Sequence, residues 1–254
     1  MDNNEILKIA LQQSAVDANC EERDFLLKEN KIVTSKLHEN ARKYIKETFD
    51  CALISYGTNI VASVREDLND IVKEYLEKYS IEHCFETPNM HVLNDKLQEY
   101  NLRICFMAEY FLPDVDRLVE LPCDYETRIL TQKDFTDLYK PEWSNALCEE
   151  RKQLDVLGVG AYHEDTLIGL AACSADCDMM WQIGVDVLPE YRCKGIASAL
   201  TSKLAIEILK HDKVPFYCAA WSNIKSVRNA IKCGFRPAWV EMSAKSMEYV
   251  AKMN

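Results

Sequence analysis

The stretch Val185-Asp-Val-Leu-Pro-Glu-Tyr-Arg-Cys-Lys-Gly-Ile-Ala197 constrains this chain more than any other. Ile183 to Val187 reads as a strand, and Pro189 ends it. Arg192, Gly195 and Ala197 fall in a turn that opens directly into a helix. Apolar residues recur there at Ile196, Leu200, Leu204 and Ile208, with a second row at Ala197, Ala205 and Leu209. That is the spacing of one buried helical face. A strand that turns through glycine into a helix leaves the first-turn N–H groups without intrahelical partners, at the positive end of the helix dipole. Such a place holds anions. Gly195, lacking Cβ, lets a phosphate come close to the backbone.

Charge limits what else the chain can bind. Its 254 residues carry a net charge of -11, and residues 1–124 hold 14 Lys/Arg against 24 Asp/Glu. An acidic chain with no basic block excludes binding to nucleic acid and anionic membranes as the expected function. Eleven cysteines, an odd number without a repeating spacing, include Cys51, Cys105 and Cys218 inside apolar runs. They read as reduced thiols of a cytoplasmic protein, not as a disulfide framework. The start, Met-Asp-Asn-Asn-Glu, shows no signal-peptide pattern, and no apolar run approaches the ~20 residues of a membrane span.

Along the chain, Ile6, Leu7, Ala10 and Leu11 predict a helix, and Leu37, Ala41, Tyr44, Ile45 and Thr48 another. Cys51–Tyr56 and Asn59–Val64, divided by Gly57, predict a hairpin or a bulged strand. A helix through Leu68, Val72, Tyr75 and Leu76 follows, then a short strand at Ile81–Phe85 and a helix opened by Thr87-Pro88. Leu102–Leu112 reads as a strand. Pro113, Asp114, Asp116, Pro122 and Asp124 punctuate the next stretch, where the domain boundary is expected. This gives a smaller N-terminal α/β domain over 1–120, of unassigned role, and a second domain over 125–254. In the second, Tyr125–Leu130, Val156–Tyr162, Leu167–Cys173 and Met180–Val187 read as strands. After the Ile196 helix come a strand at Val214–Ala220, a helix with Ile224, Val227, Ala230 and Ile231 on one face, and a strand at Arg236–Met242.

Val187-x-Pro189-Glu190-Tyr191-Arg192-x-Lys194-Gly195-x-Ala197 resembles the acetyl-CoA signature of the GNAT N-acetyltransferases. Asn223, eleven residues before Gly234-Phe235, resembles the second signature of that superfamily. The resemblance covers roughly 125–245, and the pairing of two domains is similar to a bacterial GNAT subfamily. It implies an α/β (α+β) fold. The C-terminal GNAT domain would hold a central mixed, mostly antiparallel sheet with splayed central strands, flanked by helices. The implied donor is acetyl-CoA, without a metal. Arg192, Cys193, Lys194, Gly195, Ile196 and Ala197 would cradle its pyrophosphate. Val187 would offer backbone groups to the pantetheine arm, and Asn223 would touch that arm or hold the turn. The implied reaction is direct attack of an amine on the thioester carbonyl, which needs a base, an oxyanion donor and an acid.

The chain departs from the pattern in three places. Cys193 replaces a frequent glycine, at a cost on the order of 1 kcal/mol if φ is positive there. Gln182 stands near the usual glutamate base; it can order a water, and Asp176, Asp178 and Asp186 are nearby carboxylates that could substitute as the base. Ala230 stands where many members have a tyrosine acid, and Ser226 lies one turn earlier. Gln182 and Ser226 are therefore the candidate catalytic residues. Cys173, Cys177 and His163 make a poor zinc set, lacking a fourth ligand. The expected function is N-acetylation of a primary amine of unknown identity. An acyl-CoA-binding sensor with little turnover is the alternative, and the N-terminal domain could serve a homodimer.

Overall fold

The computed structural model describes residues 1–253. In chain order its elements are α1 (Asn3–Ala18), β1 (Lys31–Thr34), β2 (Cys51–Ser55), β3 (Val61–Val64), α2 (Asn69–Lys78), α3 (Ile81–Cys84), α4 (Thr87–Gln98), β4 (Leu102–Pro113) and β5 (Glu126–Thr131). There follow β6 (Asp155–His163), β7 (Thr166–Ser174), β8 (Met180–Val187), α5 (Ile196–Lys210), β9 (Val214–Ala219), α6 (Ile224–Lys232), β10 (Phe235–Ser246) and α7 (Met247–Met253). Two compact units emerge: Met1–Ile9 with Tyr110–Pro237, and Ala10–Glu109 with Ala238–Asn254.

The first unit carries the stretch singled out above. Its strands run in the order β4-β9-β8-β7-β6-β5. β5, β6, β7 and β8 form an antiparallel meander, whereas β8 and β9 are parallel. A crossover through α5 makes the parallel pairing possible. The β8–β9 ladder runs only from Met180↔Val214 to Ile183↔Tyr217. Past that point Gly184–Val187 and Cys218–Ala219 no longer face each other as ladder partners, which is the splay that the resemblance implied.

Packing explains why α5 forms. Ile196, Leu200, Leu204, Ala205 and Ile208 are all buried against Val159, Ile168, Ala171 and Ile183 of the sheet. Fully burying a leucine or isoleucine side chain contributes ~1.5–3 kcal/mol, so this face anchors the helix. Ala197, from the second row, is half-buried and lines a cleft instead. The α6 face departs from its pattern. Ala230 is buried, but Ile224 and Ile231 are exposed.

The opposite face of β8 meets the segment Trp143–Leu147. A Cβ on Gly184 would lie 1.8 Å from the Asn145 carbonyl oxygen, so only glycine permits that approach. Asp186 fixes the same segment. Its Oδ2 accepts from the Asn145 and Ala146 N–H groups at 2.9 Å each, and its Oδ1 accepts from Asn145 Nδ2 at 2.7 Å.

In the second unit the order is β1-β3-β2-β10-β4. β2 and β3 are the expected hairpin, paired from Cys51↔Val64 to Ile54↔Val61. Leu68, just ahead of α2, and α2 and α4 through Val72, Leu76, Leu93 and Leu97 cover it. Two expectations fail here. Residues 37–48 are not helical. Buried Asp17 takes both the backbone N–H of Arg42, at 2.9 Å, and its guanidinium, at 2.7 Å, and so holds that segment in another shape. The expected strand at Ile81–Phe85 is the short helix α3, preceded by Ser80.

Candidate functional site

A cleft of about 300 Å³ opens where β8 ends and α5 begins. Two residues give the loop its shape by adopting the left-handed region: Cys193 at φ +62° and Gly195 at φ +81°. At Cys193 a side chain sits where glycine is favoured, so the conditional cost stated above applies. At Gly195 nothing lies within 4 Å of the place a Cβ would take, so the backbone there faces open space.

Gly195 is also the N-cap of α5, and no side chain caps the helix. The Ala199 N–H makes the 3.0 Å bond to the Gly195 carbonyl that starts the helical ladder. The N–H groups of Ile196, Ala197 and Ser198 therefore lack the helical partners of later residues. All three residues line the cleft, as do Val187, Tyr191, Arg192, Cys193 and Gly195. Arg192 closes the loop on itself, its Nε donating to the Val187 carbonyl at 3.0 Å. One lone pair of that carbonyl is thus already used by the protein.

The far wall is α6. It contributes Lys225, Arg228, Asn229 and Lys232, which the sequence reading did not single out. Spaced three and four apart, they share one helical face. That spacing was visible in the sequence, but nothing there placed it beside the start of α5. Asn229 performs the docking: its Oδ1 accepts from Ser198 Oγ at 2.9 Å and its Nδ2 donates to Thr201 Oγ1 at 3.1 Å. The cleft thus combines unpartnered N–H groups, a helix dipole and four cationic side chains, Arg192, Lys225, Arg228 and Lys232. These are donors only, matched to a polyanion such as the diphosphate and 3′-phosphate of CoA.

The remaining expected residues lie around it. Lys194 is exposed and holds its ammonium 5.0 Å over the Tyr191 ring. The Tyr191 hydroxyl meets His163 Nδ1 at 2.8 Å. Asn223 caps α6, its Oδ1 accepting from the Ser226 N–H at 3.2 Å. Ser226 Oγ lies 2.9 Å from the Tyr217 hydroxyl. Gln182 is half-buried and alternates with Ile183, so it shares the face of Gly184 and Asp186. Ser226, on α6, belongs to the α5 side. The two candidate catalytic residues are not brought together; they stand on opposite faces of the sheet.

The three carboxylates considered as bases are all engaged. Asp186 holds Asn145 and Ala146. Buried Asp176 faces Arg151 Nε at 3.4 Å, and Asp178 pairs with Lys213 at 3.2 Å. A fourth acid is perturbed: burial pushes the Asp155 carboxyl up to about 6, although it accepts hydrogen bonds from the Cys148 N–H and the Tyr139 hydroxyl. Among the described residues no group of three or more His, Cys, Asp or Glu is placed to hold a metal ion. No helix there is long and apolar enough to cross a membrane.

A family model described as GNAT acetyltransferase matches residues 24–238, a longer span than the motifs alone covered. No curated protein matches. Solved structures resemble the chain weakly. One is an acetyltransferase of the GNAT family from Novosphingobium aromaticivorans, 18% identical over 57% of this chain and 66% of that one, with a TM-score of 0.43. Another is a GCN5-related N-acetyltransferase-like protein from Streptococcus suis, 18% identical over 62% and 69%, with a TM-score of 0.46. An aminoglycoside N-acetyltransferase in complex with CoA is 18% identical over 47% and 92%, with a TM-score of 0.35. The likeness spans 66% and 69% of the first two chains.

Proposed function

The chain belongs to the GNAT acetyltransferase family, and from that premise we propose that it transfers the acetyl group of acetyl-CoA to a primary amine. The observation that carries this reading is the cleft at the start of α5. Free N–H groups and cationic side chains converge there, in a chain whose net charge is -11. The Ile196, Ala197 and Ser198 amides suit the diphosphate, and Lys225, Arg228 and Lys232 suit the 3′-phosphate.

Bound acetyl-CoA supplies an activated acyl group. The protein's part is to hold it in the splay between β8 and β9, and to present an amine to it in neutral form. Gln182 has no titratable group, but its amide can order a water that takes the amine proton. The commitment of Asp186 to Asn145 and Ala146 favours a second reading, in which acetyl-CoA binds without transfer.

Two measurements test this. Acetyl-CoA at about 100 times its dissociation constant is expected to stabilise the fold by roughly 2.7 kcal/mol, and Gly195→Trp to abolish the shift while leaving the circular dichroism unchanged. A melting temperature indifferent to acetyl-CoA overturns both readings. Release of free thiol with one or more amines of a broad panel supports transfer. Tight binding with no thiol release on any of them supports binding alone.

A further inference from the structure

A second cavity, of about 370 Å³, lies on the other flank of α5, within the first unit. Ser198 and Thr201 of α5 turn toward Asn229 on α6. Ala199 and Lys203, one turn apart, line this cavity instead. Its other wall is the segment from Glu120 to Thr127, which reaches into β5. The volume falls at the small end of the range for ligand pockets.

Hydrogen bonds and ring contacts hold the walls in place. Ser202 Oγ accepts from the Leu121 N–H at 3.0 Å, which ties the segment to the helix. Lys203 Nζ donates to Thr127 Oγ1 at 2.9 Å and stands 3.5 Å from Glu120 Oε1. The Tyr125 ring is backed by Tyr191 and His163 in edge-on contact, with centroids 5.8 and 5.6 Å away. The ring and the charged pair are thus set before a ligand arrives, which lowers the cost of ordering them.

The lining divides into two parts. Leu121, Pro122, Cys123, Tyr125 and Ala199 supply apolar surface. Beside them stand one cation and one anion. The Lys203 side chain is 23% exposed and that of Glu120 is 57% exposed, so the ammonium lies deeper and the carboxylate nearer the mouth. An ammonium has three N–H donors, of which Thr127 and Glu120 engage two. Glu120 Oε1 faces Lys203, and the carboxylate has a second oxygen to offer.

This pair disfavours ligands of a single charge. A lone anion meets Glu120 on a chain of net charge -11. A lone amine meets Lys203. A molecule with one charge of each sign suits both, its carboxylate on Lys203 and its ammonium on Glu120, so that four charges alternate. An α-amino acid carries the two groups on one carbon, a spacing close to that of the pair, and its side chain then faces the apolar wall. We propose that this cavity binds a free α-amino acid with an apolar side chain, as the zwitterion. Nothing in the site depends on what the cleft across α5 holds.

Calorimetric titration of the full chain with L-leucine and with L-phenylalanine tests this. Saturable binding of one molecule per chain is expected for at least one of them. For leucine, removing either charge, as in 4-methylpentanoate or 3-methylbutylamine, is expected to weaken binding roughly ten-fold or more, the loss of one hydrogen bond between charged groups. Lys203→Met keeps the length of its side chain and Glu120→Gln keeps its shape; each is expected to lose a similar factor. Glu120 is the more exposed of the two, so Glu120→Gln supplies the test if Lys203→Met does not fold. Folded Gly195→Trp, which fills the cleft, is expected to bind the amino acid as the wild type does. The proposal is overturned by an absence of saturable binding for both amino acids, by wild-type affinity in the cavity variants, or by either leucine analogue binding as tightly as leucine. Loss of binding in Gly195→Trp places the amino acid in the cleft and overturns it as well.

Discussion

Ser198 on α5 donates its hydroxyl hydrogen to Asn229 Oδ1 on α6 at 2.9 Å, and Asn229 in turn donates to Thr201 at 3.1 Å. One amide side chain therefore sets the distance between the helix start and the basic face across from it. Asn229→Ala leaves the buried Ser198 and Thr201 hydroxyls without that partner and is expected to cost about 1–3 kcal/mol. Acetyl-CoA affinity is expected to fall with it. Asn229→Asp adds a negative charge to an anion site and is expected to weaken binding more than it weakens the fold. Paired thermal melts and titrations of the two variants check this ordering.

The basic face of α6 makes a prediction about ligand choice. Lys225→Ala, Arg228→Ala and Lys232→Ala are each expected to weaken acetyl-CoA binding roughly five-fold, about 1 kcal/mol for a solvent-exposed charge contact. Binding is also expected to weaken as salt is raised. For 3′-dephospho-CoA the loss is expected to shrink at whichever of these residues meets the 3′-phosphate. Equal losses on both ligands at all three positions would place the 3′-phosphate elsewhere.

Cys193 is, among the described residues, the one exposed cysteine. It is expected to react first with an alkylating reagent, and saturating CoA to slow that reaction, as followed by mass spectrometry of the intact protein. Its φ of +62° adds a second expectation. Cys193→Val puts a β-branched side chain into the left-handed region and is expected to cost on the order of 1–2 kcal/mol.

Asp155 links stability to pH. Its folded pKa is raised to about 6, chiefly by burial. Ionisation is therefore harder in the folded state than in the unfolded one. Its contribution to stability is full below about pH 4, declines as pH rises toward 6, and stays at its lower value above that. The change is on the order of 2–3 kcal/mol. Asp155→Asn keeps an oxygen for the Cys148 N–H and Tyr139 hydroxyl, so it is expected to flatten this slope and to raise the melting temperature at pH 8. A variant with the wild-type slope between pH 4 and 6 would exclude Asp155 as its source.

The site was legible where local chemistry decides the structure. Pro189, Gly195 and the apolar row from Ile196 to Ile208 each demand a strand end, a turn and a helix, and the structure has them in that order. Asn223 as an N-cap follows from its own side chain. The rest depends on tertiary contacts. Lys225, Arg228 and Lys232 gain a role only because Asn229 docks α6 on α5, a contact that their spacing does not encode. Asp186 looked like a free base until Asn145 and Ala146 took its oxygens. Leu37 to Thr48 has helical spacing, but the buried Asp17–Arg42 pair overrides it. Ile81–Phe85 is too short for an apolar run to separate strand from helix.

The ladder between β8 and β9 stops at Ile183 and Tyr217, which leaves backbone groups of both strands without each other inside the sheet. Proteins ordinarily close or cover such edges, because open ones recruit other chains. Here the filler that suits them is a ligand with amides of its own, and then the sheet is finished only while that ligand is bound. On the proposed function, the abundance of the protein in a cell is expected to follow the supply of its acyl donor, because a liganded form would unfold, and be degraded, less often than an empty one.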